Sequence, residues 1–154
     1  MTTSQVTTPL TLDGEYRCLS TMHPGWVLYG GQNWPSIEHA LAAARCQTEK
    51  LADYDQHWKE IWKLNTPEKA RHKSKRLPLR KDWPQVRDNV LRDLVQQTLA
   101  KNPGLSQKLK DTGGRLLLNV EDTEFGCVID DVTQEIRGKN RLGNLLMKLR
   151  ADLG

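Results

Sequence analysis

The prolines constrain this chain more than any other residue type. Proline fixes φ and lacks an N–H, so it is tolerated in a first helical turn but disrupts a helix interior. Pro35, Pro67 and Pro84 each stand at the head of a run with helical spacing, and Asn102-Pro103 closes the longest such run. Pro35 is read as opening a helix whose apolar stripe is Ile37, Ala40, Leu41 and Ala44. A second helical stretch covers Leu51–Leu64, with Trp58, Ile61 and Trp62 on or near one face. Thr66-Pro67-Glu68 reads as a capped helix start. Asp82-Trp83-Pro84 opens the longest helix, carried by Val86, Val90, Leu94 and Thr98 with Leu91 and Val95 beside them. A short helix around Leu105–Lys110 ends at Gly113-Gly114. The last one carries Leu142, Leu145, Leu146, Leu149 and Leu153 on one side.

Between the helices, turn signals at Pro24-Gly25 and Gly30-Gly31 leave room for short strands at Trp26–Tyr29 and nearby, and Arg115–Val120 and Phe125–Ile129 have strand character. The expected fold class is α+β, mainly helical, in a single domain over residues 15–154. Residues 1–14 are Thr-rich and expected to form a flexible lead-in. A chain of 154 residues suits one core.

Five Trp against one Phe is an unusual split, so each Trp either packs or binds. The net charge of +4 favours an anionic partner. Cys18, Cys46 and Cys127 have no paired spacing, and no Cys/His cluster has the spacing of zinc ligands. No metal and no cofactor are therefore expected. Met1–Thr8 has neither a basic start nor an apolar stretch, and no run approaches the length that crosses a bilayer. A soluble protein of the reducing cytoplasm is expected, with no membrane contact.

Several stretches carry chemistry-bearing residues, each with a bland alternative. Glu38 in a first helical turn shares a face with Arg45, and only small side chains lie between them. A carboxylate and a guanidinium separated by alanines can wall a pocket for a sugar phosphate. Equally, Glu38 can complement the helix dipole while Arg45 is simply exposed. The run Lys69 to Lys81 holds seven Lys/Arg, either a solvated face or a set of phosphate contacts. Trp83 beside Asp82 can close over a flat heterocycle or staple the helix to the core. Asp130 and Asp131 follow a strand, where Asp also suits a turn. Gly138-Lys139-Asn140-Arg141 precedes a helix whose N-terminal N–H groups suit an anion or an ordinary cap.

Taken in order, these stretches resemble the NADAR (YbiA-like) family. Trp34 to Arg45 looks like its [YW]-P-[ST]-x-E-H helix motif ending in a basic residue. Arg80-Lys81-Asp82-Trp83 looks like its R-x-D-W entry to a long helix, and Thr112-Gly113 like its T-G. Gly138 to Arg150 matches the terminal G-x-N-x-L-G-x-x-L-M-x-x-R at every fixed position. The resemblance spans about Leu19 to the C-terminus. Three positions depart from it: Phe125-Gly126 stands for Trp-Gly, Leu19-Ser20-Thr21 for L-S-N, and Asn119 for a strand Glu.

The resemblance implies a hydrolase that cleaves an N-glycosidic bond between ribose, as ribose phosphate or ADP-ribose, and a base-like nitrogen. It further implies that Glu38 acts at the ribose, with Asp130 or Asp131 as second carboxylate. Arg45 and Arg141 would hold phosphate, Trp83 and Phe125-Gly126 would sandwich the base, and Asn140, Ser20 and His39 would add polar contacts. The substrate would be a ribosylated or ADP-ribosylated small molecule. Two other readings stand beside it: removal of ADP-ribose from nucleobases in DNA, with nucleic acid as carrier, or non-catalytic ADP-ribose or nucleotide binding.

Overall fold

The structure, a computed structural model, describes residues 8–46 and 51–154, and only the backbone of 51–55. The chain runs β1 (Leu10–Thr11), a 3-10 helix (Gly14–Leu19), β2 (Pro24–Tyr29), β3 (Gln32–Ser36), α1 (Ile37–Arg45), α2 (Leu51–Trp62), α3 (Pro67–Ser74) and α4 (Trp83–Lys101), followed by α5 (Pro103–Asp111), β4 (Leu117–Leu118), β5 (Val128–Ile129), β6 (Ile136–Arg137) and α6 (Arg141–Leu153). The fold is α+β and mainly helical, as the periodicity predicts. Two compact units make it up. One is Thr21–Lys101; the other joins the described residues through Ser20 to Asn102–Gly154.

In the unit Thr21–Lys101, β2 and β3 form a hairpin with Tyr29 opposite Gln32. The two turn residues, Gly30 and Gly31, have φ of 62° and 83°. A two-residue turn that matches strand twist needs positive φ at both positions, which favours glycine. At Gly30 a Cβ would also collide with the Trp58 ring. Helix α1 starts at Ile37 rather than at Pro35. Pro35 lies in β3, and Ser36, in extended conformation, caps the helix by accepting from His39 N at 3.2 Å.

Helix α1 is central. Every residue from Ile37 to Ala44 is buried, and α2, α3, α4 and the hairpin all pack on it. Small side chains at Ala40, Ala42, Ala43 and Ala44 allow that close approach on several sides. The alanines are therefore filled packing positions, not the edge of an open space. Trp34 and Trp58 meet edge to face at 5.1 Å, and their indole N–H groups donate to Tyr29 O and Ala43 O. Trp62, expected on the packed face of α2, is exposed and lies 6.3 Å from exposed Trp26. In α4 the buried stripe is Trp83, Leu91, Leu94, Val95 and Leu99, whereas Val86, Val90 and Thr98 are only half-buried. The Gln97 amide bonds both Leu28 N and Leu28 O, tying α4 to β2.

In the other unit, β1 runs parallel to β4, pairing Leu10 with Leu117. Leu10–Thr11, which fall within the flexible lead-in expected over residues 1–14, form this strand; residues 1–7 lie outside the described residues. Leu10 and Leu12 alternate with Thr11 at the strand period and both are buried, which anchors the segment. Helix α6 packs on β4 and α5 through Leu142, Leu146 and Leu149. The strands expected over Arg115–Val120 and Phe125–Ile129 shorten to Leu117–Leu118 and Val128–Ile129. Beyond them, Val120 and Cys127 meet in a single parallel bridge, and the Asn140 side chain takes Asn119 N. Among the described residues no helix is long and apolar enough to cross a membrane, and none of the three cysteines is disulfide-bonded.

Candidate active site

Glu38 is the most informative side chain in the unit Thr21–Lys101. Its side chain is only 6% exposed, a position at which an ionised carboxylate needs partners. Arg71, on α3, supplies two of them. Its Nη2 donates to Oε2 at 2.7 Å and its Nε to Oε1 at 3.2 Å. The third donor is the Thr21 hydroxyl, which bonds Oε2. Arg71 Nη2 also lies 3.5 Å from Thr21 Oγ1. A guanidinium can only donate, so the Thr21 hydroxyl accepts from Arg71 and donates its own hydrogen bond to Glu38 Oε2.

The guanidinium that meets Glu38 is therefore that of Arg71, a residue the helical spacing of Glu38 and Arg45 did not bring in. Arg45 donates from Nη1 to Ser74 Oγ at 3.5 Å. Spacing along one helix cannot reveal a partner 33 residues away. Helical phase within the basic run nevertheless holds a signal. Arg71 shares a face of α3 with Pro67, Ala70 and Ser74, all buried, so it turns inward. On the opposite face Lys69, His72, Lys73 and Arg76 line a groove of about 340 Å³ with Leu64 and Glu68. Nothing local in the sequence marks Thr21. It stands at the position where the family pattern has Asn, and its hydroxyl supplies a donor there.

His39, next to Glu38, has a different task. Nε2 lies 2.8 Å from Leu64 O, an acceptor, so Nε2 carries the proton. Nδ1, 2.7 Å from Ser36 Oγ, then accepts from that hydroxyl. Burial pushes the imidazole below its usual range, opposed by the Leu64 carbonyl and by Glu38. A neutral ring with both nitrogens bound to protein pins the start of α1 to the α2–α3 connection. Both ring nitrogens of His39, expected as a substrate contact, thus face protein groups. Trp83 is likewise a core residue, 2% exposed at the head of α4. Beside it, Arg80 grips Asp82 at 2.6 and 2.9 Å and holds that carboxyl below the usual range. The ring is covered, so no face is presented to a base.

The remaining predicted residues lie in the other unit, at the corner where β4 meets α6. Asn140 adopts left-handed backbone, φ 49° and ψ 45°. Its Oδ1 accepts from Asn119 N at 2.8 Å, and its Nδ2 donates to Leu117 O at 2.9 Å. One amide thus bonds the edge of β4 that faces away from β1, taking Leu117 O and Asn119 N as a neighbouring strand would. Gly143 is required behind it, because a Cβ there would strike Leu117 O and the Asn140 amide. This packing accounts for the G-x-N-x-L-G pattern, and the Asn140 amide, expected as a polar substrate contact, bonds backbone on both sides. Asn119 donates from Nδ2 to Phe125 O. Phe125 is buried rather than stacked on an open face, and Gly126 passes so close to Glu121 O that a side chain would collide. Asp130 Oδ1 accepts from Val132 N and Thr133 N, and those bonds hold its carboxyl below the usual range. The turn explains Asp130, and Asp131 is exposed in the same turn. Ser20 ends the 3-10 helix, donating to Arg17 O at 2.7 Å. Arg141 is the first residue of α6 and half-buried.

Among the described residues no group of three His, Cys, Asp or Glu could hold a metal ion. Glu38 is the buried carboxylate that three donors hold in a fixed orientation.

The comparisons with known proteins agree with this fold. The NADAR domain family model matches residues 8–154. The chain is 35% identical over 127 residues to N-glycosidase YbiA of Escherichia coli (strain K12), covering 80% of this chain and 72% of that protein. It is 26% identical to the riboflavin biosynthesis protein VVA0006 of Vibrio vulnificus (strain YJ016), over 92% of this chain and 36% of that one. The NMR structure of the E. coli protein YbiA superposes with a TM-score of 0.73 at 25% identity, covering 96% of this chain and 85% of that one. The chain belongs to the NADAR domain family.

Proposed function

We propose that the N-glycosidase activity of this chain centres on Glu38, acting on ribose bonded to a base-like nitrogen. The observation that supports the assignment is the buried Glu38 carboxylate fixed by Arg71 and Thr21. Cleavage of an N-glycosidic bond passes through an oxocarbenium-like transition state, in which positive charge develops on the ribose ring. A preorganised carboxylate in a partly desolvated site stabilises that charge, and it orients the attacking water by accepting its proton in a hydrogen bond. Arg45, on the same helix as Glu38, is the residue we assign to the substrate phosphate.

The substrate class is a ribosylated small molecule, as ribose phosphate or ADP-ribose. The similarity to a Vibrio riboflavin biosynthesis protein supports the ribose phosphate form. A nucleic acid carrying the modified base is the second reading, favoured by the cationic outer face of α3. The location that fits is the reducing cytoplasm, supported by three cysteines without a disulfide.

The test is a chromatographic assay for released base. It presents ribosylamino-pyrimidine phosphates, NAD, ADP-ribose and ADP-ribosylated DNA in parallel. Wild type should release base from at least one, and Glu38→Gln should lose about 10²–10⁴ in turnover. Unchanged release by Glu38→Gln refutes the assignment. A steep salt dependence confined to the DNA substrate selects the second reading.

A further inference from the structure

We infer that Arg71 is a positioning residue for the reaction, that Thr21 completes its grip, and that Oε1 is the working oxygen of Glu38. This inference rests on the catalytic reading of Glu38. A carboxylate offers roughly four acceptor positions, two on each oxygen. Oε2 receives two donors, Arg71 Nη2 and the Thr21 hydroxyl. Oε1 receives one, Arg71 Nε at 3.2 Å. The remaining acceptor position is therefore on Oε1, and it is the position this inference assigns to a ribose hydroxyl or the attacking water.

The geometry also fixes what Glu38 does. Each of its three hydrogen bonds uses it as acceptor, and Arg71 has no acceptor to offer in return. Glu38 works as a held anion facing positive charge on the ribose, and it is not the donor of a proton to the leaving nitrogen. Two parallel N–H···O contacts from one planar guanidinium fix both the place and the plane of the carboxylate. A lysine at position 71 would supply a single point charge, without control of that plane. Arg71 is half-buried, with a side chain 21% exposed, so it bridges the buried carboxylate and the outer part of α3.

The same triangle gives Thr21 a defined share. Its hydroxyl accepts from Arg71 while donating to Oε2, so it keeps the guanidinium and the carboxylate in register. Thr21→Val keeps the shape and removes both interactions, whereas Thr21→Ser retains the hydroxyl.

The experiment compares wild type, Arg71→Ala, Arg71→Lys, Thr21→Val and Thr21→Ser on a substrate that wild type turns over. Circular dichroism and urea unfolding establish the folded fraction of each. Misplacing a reacting group by about 1 Å costs on the order of a hundredfold. Arg71→Ala should lose about that much in kcat with KM nearly unchanged, and Arg71→Lys should recover little. Added guanidinium ion should restore turnover to Arg71→Ala but not to Glu38→Gln, a readout that loss of structure alone would not produce. Thr21→Val should lose kcat with KM retained, and Thr21→Ser should resemble wild type. A folded Arg71→Ala with wild-type kcat overturns the inference, as does one that guanidinium does not rescue. Absence of turnover by wild type on every substrate refutes the catalytic reading of Glu38 itself. In that case, loss of ADP-ribose binding by Glu38→Gln but not by folded Arg71→Ala would overturn the positioning role separately.

Discussion

Replacing Asn140 by alanine should unfold the β4–α6 corner rather than alter substrate affinity, and the magnitude follows from three effects. The substitution leaves the buried Asn119 N–H and Leu117 carbonyl without their partners at 2.8 and 2.9 Å. Each unpartnered group costs roughly 1–3 kcal/mol. Alanine must also adopt the left-handed backbone found at φ 49°, which costs about 1–2 kcal/mol. The effects together come to about 5 kcal/mol, a large share of the 5–15 kcal/mol that stabilises a typical domain. Two companion variants separate the contributions. Asn140→Gly loses the same bonds without the backbone cost, so it should be less damaging than alanine by about 1 kcal/mol. Asn140→Asp can still accept from Asn119 N–H but sets a carboxylate oxygen against the Leu117 carbonyl, so it should fall near alanine. Urea unfolding monitored by tryptophan fluorescence measures all three, read as a shift in midpoint at constant slope. An Asn140→Ala protein within about 1 kcal/mol of wild type would refute the reasoning. So would a glycine variant less stable than the alanine variant. A change in KM without a change in stability would return Asn140 to the substrate site.

Gly143→Ala should also destabilise this corner, by about 1–3 kcal/mol, because its Cβ overlaps backbone and the Asn140 amide; a melting temperature equal to that of wild type would contradict that packing. His39 predicts a pH dependence. Burial holds the imidazole below its usual 6.5, so as pH falls the unfolded chain takes up the proton first. The stability it contributes is full above about pH 6.5 and is lost as pH falls through the lowered folded value. Over that window the melting temperature of wild type should drop more steeply than that of His39→Gln, and parallel curves would show that the imidazole is not the titrating group.

Local chemistry and tertiary contact divided the information in this chain unevenly. Several helix boundaries were legible because they depend on groups within one turn: Thr66 capping α3, Pro67 in its first turn, and Gly113 at φ 63° after α5; Pro103, read as the stop of α4, also opens α5. The error at Pro35 was of the same local kind, since Ser36 competes for the cap one residue later and hairpin pairing holds Pro35 in a strand. The tryptophans were ambiguous because burial depends on neighbours distant in sequence. Trp34, Trp58 and Trp83 turned inward, while Trp26 and Trp62 stayed at the surface.

By itself, the sequence determined the family, the α+β class and the prominence of Glu38, because ordered motifs and helical spacing are properties of the chain. Only the tertiary structure decided which residues serve Glu38. Arg71 lies 33 residues away and Thr21 lies 17, one on a helix and the other before a strand. Tertiary structure also gave His39 and Asn140 partners distant in the chain. The physical reason is the same in each case. A buried polar group must be hydrogen-bonded, and which partner satisfies it is fixed by packing rather than by spacing along the chain.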